Sequence, residues 1–336
     1  MPRPAAARAG ASGLLVLLLY AATAADPAAG AVPPLSKAEV DEFWKIYNAD
    51  ERPLCPSAAS EQHRSRRVVG GRDAGEPVPF MASLQKNVTG LSKPFPFCGA
   101  SMLTERHLVT AAHCLKNKTA SMLSVNVGDY NLSATDDANN IVRNLLSFLQ
   151  HENYIIPTYD NDIAVLTLID PVPWESLTTV VLPPVNSDLA QDTTVCVMGW
   201  GRLQYEGAKP TTLQKLCMPS VNRTECQRPL THQVHENMIC AGGREGQDAC
   251  VGDSGGPLMV QAGNYEAIVG VVSFGKKCAL KDVYGVYTRV GRFVPWLYEH
   301  TRNATCKPTI SAEADFPDIE TTTKPALPEP VADNHI

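Results

Sequence analysis

The arrangement of short strand-like runs constrains the fold of this chain most strongly. Between residue 68 and about residue 303, β-branched runs are bounded by Gly, Pro, Asn and Asp, for example at 124–127, 163–169, 193–198 and 267–274. Helical periodicity is nearly absent until 293–301. Many short strands with frequent turn signals are typical of sandwiches and barrels. We therefore expect an all-β fold with one C-terminal helix, and the segment is long enough to bury a large core.

The cysteines and the N-terminus indicate where the protein works. The chain has ten cysteines in 336 residues, an even number that suggests disulfides and an oxidising compartment. Arg3 and Arg8 precede an apolar run at 14–19 and small residues at 21–25. An apolar stretch of about 12 residues is shorter than the ~20 that span a bilayer. We interpret 1–25 as a signal peptide and expect a secreted, extracellular protein without a membrane anchor.

Two further features bear on partners and modification. The net charge of −6 and the pI near 5.8 argue against nucleic acid, because phosphate binding needs concentrated Lys and Arg. In a secreted chain, Asn-x-Ser/Thr sequons become candidate glycosylation sites. The sequence has such sequons at Asn87, Asn117, Asn131, Asn222 and Asn303.

The segments that flank the β-rich region have a different composition. Residues 26–67 contain a helix-like piece at 36–47, where Ser36 could cap the helix with Glu39 three residues later. The residues that share one face of this piece are Val40, Phe43, Trp44 and Tyr47. We interpret 26–67 as a propeptide. Residues 304–336 are rich in Pro, Thr, Glu and Asp, so we expect them to be disordered.

Three short motifs carry candidate chemistry, and they contain His113, Asp162 and Ser254. A serine hydroxyl needs an imidazole to take its proton and a carboxylate to hold that imidazole in the right tautomer. Separately, the three residues have ordinary explanations as a core histidine, a cap and a turn residue. Together, in this order, they favour His113 as base, Asp162 as its orienting partner and Ser254 as nucleophile.

With these motifs, residues 68 to about 301 resemble the trypsin-like (chymotrypsin-fold) serine proteases. The resemblance implies two six-stranded antiparallel β-barrels with the active site between them and a C-terminal helix, a protease domain at 68–303. It also implies an oxyanion hole made by the N–H groups of Gly252 and Ser254. The expected partners are protein or peptide substrates and protein protease inhibitors, with no metal and no required cofactor.

The resemblance also implies activation by cleavage. Arg67 precedes Val68-Val-Gly-Gly, which resembles the new N-terminus of an activated zymogen. The freed amine of Val68 would pair with the carboxylate of Asp253, whose alternative role is that of an exposed turn residue. Residues 64–67 also fit the R-x-R-R pattern of secretory convertases, so the activating protease stays open.

Specificity follows from positions around the nucleophile. Asp248 would lie at the floor of the primary pocket, where it pairs with substrate Arg or Lys, and Ala249 lacks a hydroxyl that helps Lys. In the family's pattern Gly275 and Gly285 align with the pocket walls, and Ser273 aligns with a residue that supports the catalytic aspartate. Tyr284 occupies a position where sodium-activated relatives carry Tyr, so a Na⁺ site near it is an open expectation.

Tyr159 and Phe274 are candidates for lining the next subsites, and aromatic core packing is the alternative for both.

The resemblance implies most of the disulfide pairing. The family's common bridges correspond to Cys98–Cys114, Cys226–Cys240 and Cys250–Cys278, while the departures from its pattern leave Cys196 with Cys217 and Cys55 with Cys306. If Cys55 and Cys306 pair, the propeptide stays tethered after cleavage; the alternative is a bridge to another molecule.

Two other function classes compete with an active protease. A non-catalytic binding protein on a protease fold would usually have lost a triad residue, and none is lost here. A lectin or structural β protein would explain the sequons and cysteines but not the three motifs. The long loops at 85–97 and 116–124 favour a selective or regulatory protease over a digestive one.

Overall fold

A computed structural model describes residues 32–57, 72–87, 94–134, 140–202, 208–243, 253–275 and 283–317. Within these ranges the chain forms two closed antiparallel barrels. The strands are β1 (Arg72–Asp73), β2 (Met81–Lys86), β3 (Phe95–Met102), β4 (His107–Thr110), β5 (Leu123–Val127), β6 (Ile141–Gln150), β7 (Ala164–Leu168), β8 (Thr194–Gly199), β9 (Gln214–Val221), β10 (Met238–Gly242), β11 (Pro257–Ala262), β12 (Tyr265–Gly275) and β13 (Tyr284–Arg289).

The first barrel closes in the order β2-β3-β4-β7-β6-β5. The second runs β9-β10-β13-β12-β11-β8 and closes because β8 also pairs with β9, while β1 adds to the outside of β9. The expected pair of six-stranded barrels is confirmed. The strand-like runs at 124–127, 163–169, 193–198 and 267–274 correspond to β5, β7, β8 and β12.

Three α-helices lie in the described residues. They are α1 (Lys37–Ala49), α2 (Arg223–Gln227) and α3 (Val294–Glu299), the last of these being the expected C-terminal helix. Ser36 caps α1 by accepting a hydrogen bond from the Glu39 N–H, and the Glu39 carboxylate accepts from the Ser36 N–H in return. This reciprocal capping box is the one predicted from the sequence. No helix in the described ranges is both long and apolar enough to cross a bilayer.

The N-terminal segment 32–57 packs on the C-terminal end of the chain. Phe43 and Tyr47 of α1 are buried, and their rings lie 5.7 and 5.4 Å from the ring of Tyr298 in α3. Cys55 and Cys306 form a disulfide across a sequence separation of 251. The segment is therefore joined to the C-terminal end of the chain both covalently and by aromatic packing, and the two ends share one core with the first barrel.

Two cations, the half-buried Arg52 and the buried Lys307, reinforce this attachment. Arg52 holds Asp50 through its Nε and Nη2, and its Nη1 donates to the carbonyl oxygens of Thr301, Ala304 and Cys306. Lys307 donates from Nζ to the carbonyl oxygens of Tyr47 and Asp50. Because buried polar groups are costly unless satisfied, these bonds fix how the two ends of the chain meet.

The start of the C-terminal tail differs from the sequence-based expectation of disorder over 304–336. Residues 304–317 pack on the protein, with Cys306 and Phe316 buried and Ile310 in a parallel bridge with Leu182. The expectation is wrong for 304–317, because apolar residues in a polar segment find a preformed surface. Residues 318–336 lie outside the described residues.

Three more disulfides are formed in the described residues. They are Cys98–Cys114, Cys196–Cys217 and Cys226–Cys240. Cys196 and Cys217 are directly opposed on β8 and β9, as expected for facing positions on adjacent strands. The pair Cys250 and Cys278 lies outside the described residues.

Candidate active site

His113 and Asp162 lie side by side on two connections of the first barrel, one after β4 and one before β7. His113 lies on a short 3-10 helix, Ala112–Leu115, directly after β4, and its side chain is 22% exposed. Asp162 is fully buried in the connection that leads into β7. His113 Nδ1 lies 2.7 Å from Asp162 Oδ2, and the His113 backbone N–H donates to Asp162 Oδ1 at 2.8 Å. The carboxylate therefore fixes both the ring and the backbone of this histidine.

Other elements hold Asp162 in place. Ser273 on β12 donates its hydroxyl to Asp162 Oδ2, and Thr288 on β13 donates to the Asp162 carbonyl oxygen at 2.8 Å. The preceding residue, Asn161, has a positive φ of 55° and accepts a hydrogen bond from Asn237 Nδ2. First-barrel and second-barrel residues thus converge on one carboxylate, so the relative position of the barrels sets the geometry of the site.

The charge of Asp162 acts on the nearby hydroxyl of Tyr154. Burial raises the pKa of Tyr154, and the negative charge of Asp162 acts in the same direction. This hydroxyl therefore stays protonated through the neutral pH range.

Ser254 lies before β11 and is hydrogen-bonded to β3 of the first barrel. Its carbonyl oxygen accepts from the Gly99 N–H at 2.8 Å, and Gly99 follows Cys98, the partner of Cys114. Gly255 has a φ of +77°, and a Cβ there would collide with Thr110 Oγ1 and the Gly99 carbonyl oxygen. This position requires glycine, because only glycine allows both the backbone angle and the close approach.

Asp253, which precedes the candidate nucleophile, is buried against two glycines. Its Oδ1 accepts from the Gly201 N–H at 2.7 Å. A Cβ on either Gly199 or Gly201 would overlap the Asp253 carboxylate. Asp253 is only 9% exposed, which does not fit the alternative role of an exposed turn residue.

The candidate pocket walls lie on neighbouring strands. Gly275 at the end of β12 is the cross-strand partner of Gly285 on β13, and a Cβ on Gly275 would have only ordinary contacts. Asp248 and Ala249 at the expected pocket floor lie outside the described residues, as do Gly252 of the expected oxyanion hole and the activation residues Arg67 and Val68.

An aromatic group lies beside the histidine. The Tyr159 ring is edge-on to His113 at 6.0 Å and 5.3 Å from the Phe274 ring, and His232 completes the group at 5.9 Å from Phe274. His232 is exposed, and Tyr159 and Phe274 are half-buried. The group is therefore partly open to solvent beside His113, while Phe274 also packs against the buried cluster that contains Cys226, Met238 and Tyr284.

Tyr284 and the sequons complete the set of predicted positions. The Tyr284 hydroxyl donates to Glu225 Oε1 at 2.8 Å, and its ring packs on Gly243. Asn87, Asn117, Asn222 and Asn303 are exposed and Asn131 is half-buried. Asn222 is also the N-cap of α2, where its Oδ1 accepts from the Glu225 N–H.

Groups of possible metal ligands in the described residues offer no thiolate. Cys98 and Cys114 near His113, and Cys55 and Cys306 near Glu105, are all engaged in disulfides. Because metals bind the thiolate form, these groupings do not provide a transition-metal site.

Sequence reasoning missed several contributors to the site. Thr288, Asn237 and Gly201 support Asp162, Asn161 and Asp253 through contacts between residues 126, 76 and 52 positions apart. Serine, threonine and asparagine are common on any β-rich surface, so no local signal separates these residues from others.

Comparisons with known proteins identify the family to which this site belongs. The Trypsin family model matches residues 68–297. The chain is 35% identical over 253 residues to a protein named proclotting enzyme from Tachypleus tridentatus, covering 70% of this chain and 66% of that protein. It is 35% identical over 240 residues to coagulation factor IX from Oryctolagus cuniculus, covering 68% of this chain and 83% of that protein.

A third relative is transmembrane protease serine 11C from Mus musculus, which is 36% identical over 250 residues. The match covers 71% of this chain but 54% of that relative. The chain belongs to the trypsin family of serine proteases. It is a trypsin-like serine endopeptidase by fold and family.

Proposed function

We propose that the protein is secreted as a zymogen and, once cleaved after Arg67, acts as an endopeptidase that cuts selected protein substrates after Arg and, less well, Lys. The observation that carries this proposal is the bonding of Asp162 to both the backbone and Nδ1 of His113. With Nδ1 engaged, Nε2 is the ring atom that exchanges a proton with Ser254.

His113 accepts a proton and donates it again in each half of the reaction. Ser254 Oγ attacks the carbonyl carbon of the scissile bond while His113 Nε2 takes the hydroxyl proton. The N–H groups of Gly252 and Ser254 stabilise the oxyanion, each worth about 3–4 kcal/mol in comparable sites. His113 then protonates the leaving amine as the C–N bond breaks, which leaves the acyl group of the substrate on Ser254 as an ester. A water molecule that gives a proton to His113 attacks this ester, and His113 returns the proton to Ser254 Oγ. Throughout, Asp162 stays ionised and stabilises the imidazolium.

The proposed preference for arginine rests on the pocket residues. Asp248 would form a bidentate pair with a guanidinium, and Ala249 offers no hydroxyl for an ammonium group. Gly275 and Gly285 leave the walls free of side chains along the path of a long basic residue. We expect kcat/KM to be clearly higher for an Arg peptide than for the matched Lys peptide, and equal values would contradict this preference.

The proposed zymogen step rests on Asp253. A carboxylate buried beside Gly199 and Gly201 favours a cationic partner, and the freed amine of Val68 is the cation that cleavage supplies. The Cys55–Cys306 disulfide would keep residues 32–57 attached to the cleaved enzyme, which gives a two-chain product. The activating protease is either a secretory convertase, another trypsin-like enzyme or the protein itself.

The selectivity and setting are proposed from the loops and relatives. The connections between β2 and β3, within 85–97, and before β5, within 116–124, would restrict access of large substrates, and two relatives are named for clotting. We propose action in an extracellular proteolytic cascade, control by protein protease inhibitors, and glycosylation at the five sequons. Na⁺ near Tyr284 would be a modulator and not a required cofactor, so replacing NaCl by choline chloride should lower activity without abolishing it.

One experiment separates the protease from a binding protein on the same fold. The full chain and its Arg67→Gln and Ser254→Ala variants are expressed as secreted proteins, treated with trypsin-like activator, and exposed to a labelled Arg phosphonate. We expect label on the cleaved wild type alone, with N-terminal sequencing that begins at Val68. Absence of label on the correctly cleaved wild type would favour the binding protein, and full labelling of Arg67→Gln would contradict the zymogen.

A further inference from the structure

A hydrogen-bonded cluster near the start of the protease domain is not used by the chemistry above. Asp73 on β1 accepts hydrogen bonds from the Tyr130 hydroxyl and the Gly75 N–H through Oδ1, and from Thr212 Oγ1 through Oδ2. Its pKa is lowered, chiefly by the Tyr130 hydroxyl. One carboxylate thus joins β1, the chain that follows β5, and the chain that enters β9.

We propose that Asp73 is a positioning residue for activation, which anchors the chain so that the new N-terminus at Val68 reaches Asp253. This inference rests on the proposed zymogen mechanism. It adds a residue to that mechanism which makes no contact with substrate or with the reacting atoms.

The strand register shows how Asp73 is placed relative to Asp253. Asp73 is the cross-strand partner of Gln214 on β9, and Gln214 is the partner of Gly199 on β8. Neighbouring strands lie about 4.8 Å apart, so two steps cover about 10 Å. Gly199 directly contacts the Asp253 carboxylate. The anchor on β1 is therefore separated by one strand, β9, from Gly199, which adjoins the Asp253 carboxylate.

The length of chain between Val68 and β1 fits this distance with little excess. Four residue steps separate Val68 from Arg72, and an extended chain of four steps spans at most about 14 Å. A shift of β1 by one or two residues along β9, about 3–7 Å, would take up part of this excess. The position at which β1 is fixed therefore affects how the amine reaches the carboxylate.

The strand alone is a weak anchor. β1 has two residues, which pair with Lys215 and Gln214, and the Ala74 N–H donates to the Leu213 carbonyl oxygen; such short pairings are marginal in water. Asp73 is exposed, and its bonds from Tyr130 and Thr212 tie the segment to two other parts of the chain. These two bonds thus add to the backbone pairing in fixing where the segment begins.

Tyr130 joins the same cluster to the wall around Asp253. Its carbonyl oxygen accepts from Leu213 N–H at 2.8 Å and from Trp200 Nε1 at 3.0 Å. Trp200 lies between Gly199 and Gly201, the two residues that contact the Asp253 carboxylate. A movement of Tyr130 would therefore disturb both the anchor and the acid's surroundings.

The test compares Asp73→Asn, Tyr130→Phe and the exposed control Asp170→Asn, each cleaved fully after Arg67. The readouts are kcat/KM on an Arg peptide and the alkaline limb of its pH profile, which reports loss of the proton from the inserted amine. A paired amine titrates above the free value near 8. We expect Asp73→Asn to lower kcat/KM about tenfold and move the alkaline limb toward 8, with a smaller effect of the same sign for Tyr130→Phe.

Wild-type activity and an unshifted alkaline limb in both Asp73→Asn and Tyr130→Phe would overturn the inference. Tyr130→Phe keeps the ring and fills the same volume, so it tests the hydrogen bond even if Asp73→Asn is secreted poorly. Failure of the zymogen mechanism has a different signature: Arg67→Gln would then be as active as cleaved wild type, whatever the Asp73 variants do.

Discussion

Asp162 and Asp50 show how similar groups serve different purposes in two regions of the molecule. Both carboxylates are shielded from solvent and accept several hydrogen bonds, from His113 and Ser273 in one case and from Arg52 and Tyr298 in the other. His113 keeps 22% of its side chain exposed and can release a proton. Arg52 is permanently charged and is bound to three carbonyl oxygens.

Their electrostatic states reflect this difference. Burial would raise the pKa of Asp50, but hydrogen bonds from Arg52 and Tyr298 outweigh it and lower the pKa to about 2. The pKa of Arg52 is raised by the same pair, against the effect of burial. Asp50 and Arg52 therefore stay ionised at any physiological pH. Asp162 therefore differs from Asp50 in its partner: His113 is titratable and partly exposed to solvent, whereas Arg52 is permanently charged.

The strongest challenge to this comparison is Asp162→Asn. The amide would favour the wrong tautomer of His113, so we expect kcat to fall by about 10⁴ with little change in the melting temperature. The measurement is kcat on an Arg peptide after titration of active sites, together with calorimetry. Asp170→Asn, at an exposed position, serves as control, and retained activity in Asp162→Asn would remove the distinction between the two carboxylates.

A second prediction concerns Arg52→Ala, which leaves Asp50 buried without its cation. We expect the free energy of unfolding to fall by about 3 kcal/mol, because breaking a buried pair exposes the cost of the remaining charge. We expect kcat at 25 °C to be unchanged. Denaturant unfolding would be measured on the Ser254→Ala background to prevent self-digestion.

Arg302→Ala is the matched control for that measurement. Arg302 contacts the same Tyr298 ring at 5.6 Å but is a third exposed and pairs only locally with Glu299. Equal losses of stability in the two variants would mean that ring contacts, and not the buried pair, hold the N-terminal segment.

A third prediction extends the comparison to a buried imidazole. Burial lowers the pKa of His107 from 6.5 to about 4, so the folded state excludes a proton that the unfolded state binds between these values. Stability should therefore fall as pH drops from 6.5 to 4, by about 1.4 kcal/mol per pH unit for this residue.

The check is the pH dependence of unfolding for His107→Gln against His232→Gln, whose histidine is exposed. We expect His107→Gln to lose that part of the slope and His232→Gln to keep it. An unchanged slope in His107→Gln would show that His107 does not carry the effect.

Local patterns in the sequence were sufficient for four of the strands, β5, β7, β8 and β12, and for the α1 cap. Ser36 and Glu39 are three residues apart, and this spacing determines their reciprocal bonds. The pairing of His113 with Asp162 also follows from motif order and family resemblance. The residues that hold this pair, such as Thr288, had no comparable signal, since their contacts depend on how the second barrel packs on the first.

The C-terminal segment from residue 304 shows where composition failed as a predictor of structure. Its composition predicted disorder from residue 304, but Phe316 is buried and Ile310 bridges to Leu182. Composition describes what a segment can do by itself, and here the supporting surface comes from distant strands. The bonds of Arg52 were equally hidden, because backbone carbonyl oxygens are present at every residue and carry no sequence information.

The Cys55–Cys306 bridge has a consequence for how such an enzyme would be confined in the body. A cut after Arg67 would liberate no fragment from residues 32–57, so precursor and cleaved form would travel together with whatever binds that segment. The active enzyme would then form where the precursor already is. An antibody to residues 32–57 would capture both the precursor and the cleaved form from the same fluid.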